Sequence, residues 1–590
     1  MHDYLIIIHI KEYGKYFLTK TDKKDMIGYS TQVGIFGTEN TVRKISGYGF
    51  WPFVMRSMAK IGYCAHKVCT VTMIVLLCTY CVYSNMIVTF KQRKSEVSME
   101  QEDLWNRLKA YSKTQAYPFH MPGHKRNFGE MINPYEMDIT EIYGFDDLHH
   151  PEGLLEQAQK RAAKIYGAKE SFFLINGSTV GILSAIASAC QKNGKIVMAR
   201  NSHKSAYHAV YLNELQVEYL YPEYITEYDI NGGIVPEHLR ELLEEDKNRE
   251  IQAVYITSPT YEGILSDIGK IADIAHAYEI PVIVDEAHGA HLYFSECFPK
   301  GALTFGADIV IQSVHKTLPS LTQTALLHIN HSEFVNVEKV KQYLRMYQSS
   351  SPSYLLMAGI DRCLRFMEEQ GKEKLQELYN NLYSIYGLKK ELKELKIMGD
   401  EVKNDTSVYD FDSSKIVVST KGTSLWGDML KSRLREDFLL ELEMAAPSYV
   451  LAMTTLCDTQ EGIQRLKKAL LQIEKDLTRD NTDRIDRTDM YEGIGRIQNL
   501  TSGWGIGRPQ IKMTIAQAVN SHQHSISIKE SKNQISGEFL YVYPPGIPIL
   551  APGELITPEI ISYIQELKKS ELFLQGLEDE QVEDIKIISV

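Results

Sequence analysis

The stretch Ile309-Val310-Ile311-Gln312-Ser313-Val314-His315-Lys316-Thr317 constrains the fold more than any other part of the chain. An unbroken apolar run that stops at polar residues reads as a strand buried on both faces. A lysine sits in the turn at its C-terminal end. A second run, Ile280-Pro281-Val282-Ile283-Val284, ends in Asp285-Glu286-Ala287-His288. Strands buried on both faces belong to sheets covered by helices, and ligands of such sheets bind beyond the carboxyl ends of the strands. The surrounding pattern agrees. Apolar positions Leu154, Leu155, Ala158, Ala162 and Ile165 give a helix over 154–166. Strands follow at 171–175, 195–198 and 253–257, and helices at 180–190 and 270–278. The expected architecture is α/β, with a mostly parallel sheet in a large domain. Strands at 416–419 and 450–455 alternate with helices at 427–436 and 461–477, which adds a smaller C-terminal α/β domain.

Asp285 and Lys316 each close a strand, in that order, after a small-residue turn that opens a helix. A lysine amine joins an aldehyde cofactor as an imine, and a buried carboxylate keeps a pyridine nitrogen protonated. The pairing points to pyridoxal 5'-phosphate (PLP), held by Lys316 with Asp285 on its ring nitrogen. His288 would touch a cofactor oxygen or return a proton to Cα. Asn176-Gly177-Ser178-Thr179 lies between a strand and a helix, where backbone N–H groups and the helix dipole favour an anion. Ser178 or Thr179 would cap that helix in any case. Ser313 and His315 could bind phosphate together with Gly177, Ser178 and Thr179. His203 ends a strand and either stacks on a cofactor ring or is a satisfied loop histidine. His120 and His124 flank the rigid Pro122-Gly123 turn, either near the site or on a basic surface turn. Asp146 and Asp147 belong to a cluster of four carboxylates over 138–149, a solvated loop or a rim selective for a cationic substrate. Pro and Gly crowd residues 544–553 and fix a rigid loop that ends at Glu554.

The motifs His120-Met121-Pro122-Gly123-His124-Lys125, Asn176-Gly177-Ser178-Thr179, Asn201-Ser202-His203-Lys204-Ser205, Asp285-Glu286-Ala287-His288-Gly289, Ser313-Val314-His315-Lys316-Thr317, Pro544-Pro545-Gly546-Ile547-Pro548 and Pro552-Gly553-Glu554 resemble, in this order, those of the Orn/Lys/Arg decarboxylases. The resemblance runs from about residue 102 to the C-terminus. It implies PLP fold type I, with Lys316 as the Schiff-base lysine, Asp285 as the pyridinium partner and His203 stacked on the ring. It implies phosphate contacts from Ser178, Thr179, Ser313 and His315, and a homodimer or larger homo-oligomer with sites at the subunit interface. The length is similar to that of the compact arginine or lysine decarboxylases. The expected reaction converts arginine to agmatine and carbon dioxide, in polyamine biosynthesis. Lysine to cadaverine and ornithine to putrescine are the alternatives, and an aminotransferase or aldolase on the same fold is a more remote one. Glu554, Asp146 and Asp147 are candidate partners for the substrate's cationic end, with His120 and His124 nearby. Larger relatives carry an N-terminal flavodoxin-like wing, which residues 1–98 do not resemble.

The 590 residues suggest several domains. These are an N-terminal extension (1–98), an arm (99–150), the PLP-binding large domain (151–367), a connecting helix with a small domain (368–480) and a C-terminal decarboxylase domain (481–590). Residues 368–396 read as a helical connection and 478–489 as a polar linker. Residues 68–90 are uncharged over a length that spans a bilayer, so the extension is a membrane anchor, an accessory helix, or residues translated upstream of a start at Met99. Cys64, Cys69, Cys78 and Cys81 cluster there, without the second pair that a zinc site needs. Cys190, Cys297, Cys363 and Cys457 read as buried apolar residues of a reduced, cytoplasmic catalytic region. A net charge of -12 without a basic stripe argues against nucleic acid. Asp285-Glu286-Ala287-His288 also spells a helicase-type acidic motif, but the chain has no GxxxxGK[ST] phosphate loop to go with it.

Overall fold

The computed structural model describes residues 4–10, 15–21, 30–36, 42–47, 108, 111–129, 133–480, 508–543, 546–568 and 573–589. The uncharged run 68–90, the four N-terminal cysteines and most of the 478–489 linker lie outside them, as does most of 104–111, whose sequence reads as an amphipathic helix. Among the described residues no helix is long and apolar enough to cross a membrane. The chain divides into two units, Met1–Thr114 and Gln115–Val590. The first holds two antiparallel hairpins, Tyr4–Ile10 with Lys15–Thr21 and Ser30–Phe36 with Val42–Gly47.

The second unit is built on a seven-stranded sheet. Its strands are β1 (Glu170–Leu174), β2 (Lys195–Ala199), β3 (Gln216–Leu220), β4 (Ile251–Thr257), β5 (Val282–Asp285), β6 (Ile309–Ser313) and β7 (Ala325–Ile329). Their order is β1-β7-β6-β5-β4-β2-β3. Every neighbouring pair from β6 to β3 is parallel, and only β7 runs antiparallel, between β6 and β1. The apolar runs are buried on both faces. Ile309 and Ile311 pack into one hydrophobic cluster and Val310, between them, into another. Helices α1 (Leu154–Tyr166) and α2 (Gly177–Ala189) cover opposite faces. At Gly181 of α2 an added Cβ would lie 2.7 Å from Leu174 and 3.0 Å from Ile311, so a glycine lets the helix approach the sheet.

Two boundaries differ from expectation. Helix α2 starts at Gly177, which has φ +72°, and its cap is Asn176, which makes no side-chain capping bond. Ser178 and Thr179 are therefore first-turn residues, not caps. The connecting helix, α4, spans Tyr354–Tyr386 rather than 368–396. Its first half buries Met357, Ile360, Leu364 and Met367, so it belongs to the core. Between them, α3 (Lys204–Leu212) follows β2.

Past α4, β8 (Lys396–Ile397), β9 (Lys415–Ser419), β10 (Met444–Ala446) and β11 (Tyr449–Met453) form an antiparallel sheet of order β8-β9-β11-β10, with α5 (Gly427–Phe438) and α6 (Gln460–Asp480) beside it. The strand Tyr117–Phe119 pairs with Leu440–Leu442, which brings the 120–126 loop to this small domain. Cys190, Cys363 and Cys457 are buried, whereas Cys297 is half-exposed, contrary to expectation. The last part of the chain contains a three-stranded sheet, Leu540–Tyr543 between Ile547–Leu550 and Phe573–Gln575, and a helix at Pro558–Leu567.

Candidate active site

A cavity of about 310 Å³ opens at the C-terminal ends of β4, β5 and β6, where a doubly covered sheet places its ligands. Asp285, the last residue of β5, faces it with 3% of its surface exposed. Tyr255 Oη donates to Asp285 Oδ2 at 3.1 Å, and the Ala287 N–H donates to Oδ1 at 3.1 Å. Burial raises the carboxyl above its usual range, and the Lys316 amine opposes that shift. Strand β6 ends at Ser313 and turns directly into the single helical turn Val314–Thr317, which presents Lys316. Lys316 Nζ lies 3.0 Å from His288 Nε2. Burial depresses both groups, and each is opposed or reinforced by its neighbours: Asp285 pulls Lys316 back up, while Lys316 pushes His288 further down.

The turn bearing Lys316 is held from outside. Gly123 N–H donates to His315 O at 2.7 Å, and an added Cβ at Gly123 would lie 2.7 Å from Leu318 O. Lys125 locks that loop, donating to His120 O at 2.9 Å and Met453 O at 2.7 Å. The loop thus acts on the site through its backbone.

Ser178 and Ser313 meet across the cavity, Oγ to Oγ at 2.8 Å. The first-turn N–H groups of α2 have no intrahelical acceptor, so this corner suits an anion. His315 lines the same cavity with Nδ1 2.9 Å from Thr324 O, and burial lowers its pKa to about 4. His203 caps α3, accepting the Ser205 N–H at 3.3 Å on Nδ1, and burial lowers it to about 3. Its ring is neutral at pH 7. Asn201 Oδ1, Thr257 Oγ1 and His288 Nδ1 are buried at the cavity with no partner among the described residues. Buried polar atoms are rarely left so, and three around one cavity fit a polar ligand.

The sequence-expected residues divide into two groups. Gly177, Ser178, Thr179, His203, Asp285, His288, Ser313, His315 and Lys316 all line the cavity. Glu554, Asp146, Asp147, His120 and His124 do not. Glu554 is buried against Arg200, Oε2 to Nη2 at 3.2 Å, and also accepts the Ala551 N–H at 2.8 Å. Asp146 accepts backbone N–H groups of Glu152, Gly153 and Leu155 at 2.8–3.0 Å and so fastens the start of α1. Asp147 takes the His149 N–H at 2.8 Å and sits 3.2 Å from His150 Nδ1. His120 Nδ1 rests on Met121 O, and His124 Nδ1 accepts the Arg126 N–H at 3.0 Å.

Two other carboxylates line the cavity instead. Glu443, between Leu440–Leu442 and β10, accepts from Tyr261 Oη and from the Met121 N–H at 2.8 Å. Glu262 accepts from Tyr449 Oη at 2.7 Å, and burial raises its pKa. Glu262 follows the β4 strand and was visible as a carboxylate past a strand end. Glu443 and Tyr255 gave no signal, since long-range folding alone brings them here.

Residues 103–424 match the family described as Orn/Lys/Arg decarboxylase, major domain, and residues 507–583 match its C-terminal domain. An arginine decarboxylase of Bacillus subtilis is 31% identical over 500 residues, covering 83% of this chain and 99% of the relative. The constitutive lysine decarboxylase of Escherichia coli is 23% identical, covering 77% of this chain and 75% of the relative. Among solved structures, a lysine decarboxylase from Francisella novicida superposes with a TM-score of 0.67 at 20% identity, covering 82% of this chain and 80% of that one.

Proposed function

The chain belongs to the Orn/Lys/Arg decarboxylase family, a PLP-dependent carboxy-lyase acting on a basic amino acid, and we propose that its substrate is arginine, released as agmatine and carbon dioxide. The observation that carries the choice is the pair Glu443 and Glu262 on the cavity wall. A guanidinium is a planar fork that favours paired acceptors, whereas an ammonium needs one. The raised Glu262 carboxyl is what a buried acceptor shows before a cation neutralises it. The arginine decarboxylases of Bacillus subtilis and Bacillus anthracis, both 31% identical, support the same choice.

The residues present fit PLP. Ser178, Thr179, Ser313 and His315 would hold its phosphate, Asp285 its pyridine nitrogen and His203 its ring face, with Lys316 as the point of attachment. When bound, PLP takes up the electron pair left when the carboxylate departs. Asp285 is prepared for this role by two fixed donors, Tyr255 Oη and the Ala287 N–H, which favour its carboxylate form against the pull of burial. Neutral His203 can lie against an aromatic face without adding charge. Lys316 Nζ and His288 Nε2 lie 3.0 Å apart, and burial favours the neutral form of each. With Lys316 Nζ donating, His288 carries its ring proton on Nδ1, an assignment that follows from the hydrogen-bond network. This pair supplies the proton that Cα needs after carbon dioxide leaves.

We also infer a homodimer or larger homo-oligomer, supported by the exposed apolar side chains Tyr135, Met137, Ile142, Tyr143 and Phe145 on one segment. A cytoplasmic location, with a place in polyamine biosynthesis, is supported by the free thiols Cys190, Cys297, Cys363 and Cys457 and by the product's chemistry. The test is to incubate the PLP-loaded protein with arginine, lysine and ornithine separately while measuring carbon dioxide and amine. Agmatine should form with the highest kcat/KM. Cadaverine or putrescine in first place would reassign the substrate, and keto acids would overturn the reaction.

A further inference from the structure

We propose that the buried ion pair Asp412–Lys415 is a positioning device for the His288–Lys316 contact: it fastens the small domain to the backbone that carries His288 and sets a fixed positive charge beside the reacting amine. The proposal rests on the reading of Lys316 as the cofactor-bearing lysine.

Both side chains are fully buried, with Lys415 Nζ 2.8 Å from Asp412 Oδ2. A buried charge pair costs desolvation that exposed pairs avoid, so its placement calls for a reason other than stability alone. The remaining donors of Lys415 go to Ser414 Oγ at 3.1 Å and, across the domains, to His288 O at 3.4 Å. Asp412 Oδ1 faces His291 Nε2 at 3.3 Å and accepts the Ser414 N–H at 3.0 Å. One pair therefore touches both ends of the segment from His288 to His291. It also touches the other cavity loop. The Asp412 N–H donates to Gly263 O at 2.8 Å, next to Glu262. Gly263 has φ +97°, and an added Cβ there would lie 2.9 Å from Asp412 O and 3.0 Å from Lys415 Cγ. Ser414 O is held in turn by Thr454, from its N–H at 3.0 Å and its Oγ1 at 2.7 Å.

The electrostatics agree with the geometry. The charged and titratable groups facing Lys316 are Asp285, Glu443, Lys415 and His203, with His288 in contact; those facing His288 are Lys316, Lys415, Asp412, His203 and, ring against ring, Tyr261. Lys415 pushes both Lys316 and His288 toward their neutral forms. Burial works against the charge of Asp412, yet Lys415 and His291 hold its carboxyl well below the usual range, so Asp412 stays ionised beside the Lys415 amine.

The experiment is a pH titration of the visible absorbance of the PLP-loaded protein, comparing wild type with Lys415→Met, Lys415→Gln and Lys415→Arg. Loss of the positive charge should raise the pH midpoint of the lysine-linked cofactor in the Met and Gln variants by about one pH unit. The Arg variant should keep the wild-type midpoint. In steady state, kcat should fall at least tenfold in the neutral variants while KM for arginine stays within about twofold, because Lys415 does not line the cavity. An unmoved midpoint in a folded Met or Gln variant would overturn the proposal. So would an Arg variant shifted as far as Gln. Should Lys415→Met fail to fold, Lys415→Gln, which keeps a donor for His288 O, decides alone. A wild-type protein without the visible band would instead overturn the cofactor reading beneath it.

Discussion

Asp285 and Lys316 do different work from the same buried floor. Burial raises the Asp285 carboxyl while the Lys316 amine, the Ala287 N–H and Tyr255 Oη oppose that shift, and burial lowers Lys316 while Asp285 pulls it back up. The cationic end of the substrate is a matter for Glu443 and Glu262. Glu443→Gln should raise KM for arginine roughly tenfold to a hundredfold, the worth of a charge-assisted hydrogen bond, and barely change PLP affinity. An unchanged KM would take Glu443 out of the substrate pocket. Glu554→Gln should behave in the opposite way. Its partner Arg200 is fully buried, so the change strands a charge and should cost about 3–5 kcal/mol of stability, read by denaturant titration, with KM nearly unchanged. The sequence pattern showed Lys316, Asp285, His288, His203 and the phosphate corner because each ends a strand or opens a helix. It placed Glu554 in the substrate pocket because a rigid loop holding a carboxylate looks the same whether that carboxylate meets a ligand or an internal arginine. Glu443 carries no local mark at all.

At the level of elements, the site depends on how closely backbones approach. The 120–126 loop was read through its histidines, yet its contribution is Gly123, packed on the turn after Lys316. Gly123→Ala should push that turn aside, costing about 1–3 kcal/mol in overpacking and weakening PLP binding more than it weakens folding. Equilibrium dialysis of PLP against the variant measures this, and wild-type affinity would show that the turn tolerates the methyl. Strand positions were legible because β5 and β6 are apolar without interruption, and α1 was legible over Leu154–Tyr166 because its apolar positions recur at helical spacing. The starts of α2 and α4 were missed for physical reasons. A glycine with positive φ opens α2, where sequence patterning expects a turn, and α4 opens on the uncharged run Tyr354–Ile360, ahead of the charged stretch that suggested a helix.

For the whole molecule, acid sensitivity follows from buried neutral histidines. His203 and His328 are lowered to about 3 and His315 to about 4 by burial. Each is depressed below its unfolded value, so the stability it lends is present above about pH 6.5 and is lost as pH falls toward 3–4. Glu286, raised to about 7 by burial, acts in the opposite sense, adding stability as pH falls from 7 toward its unfolded value. Three histidines outweigh one carboxyl below pH 5, so the melting temperature should drop between about pH 6 and 4. His328→Gln should reduce proton uptake on unfolding at pH 5 by about one, as measured from the pH dependence of stability; no reduction would place a charged histidine in the folded core. The family match begins at residue 103, and a protein starting at Met99 should keep full activity. Which lysine bears PLP decides the chemistry of the site, since Lys125, Lys316 and Lys415 all lie in the interior around it. Borohydride reduction of the PLP-loaded protein, followed by mass spectrometry of its peptides, reads this directly. The phosphopyridoxyl mass should fall on Lys316 and vanish in Lys316→Ala; the same mass on Lys125 or Lys415, or on no lysine, would contradict the account.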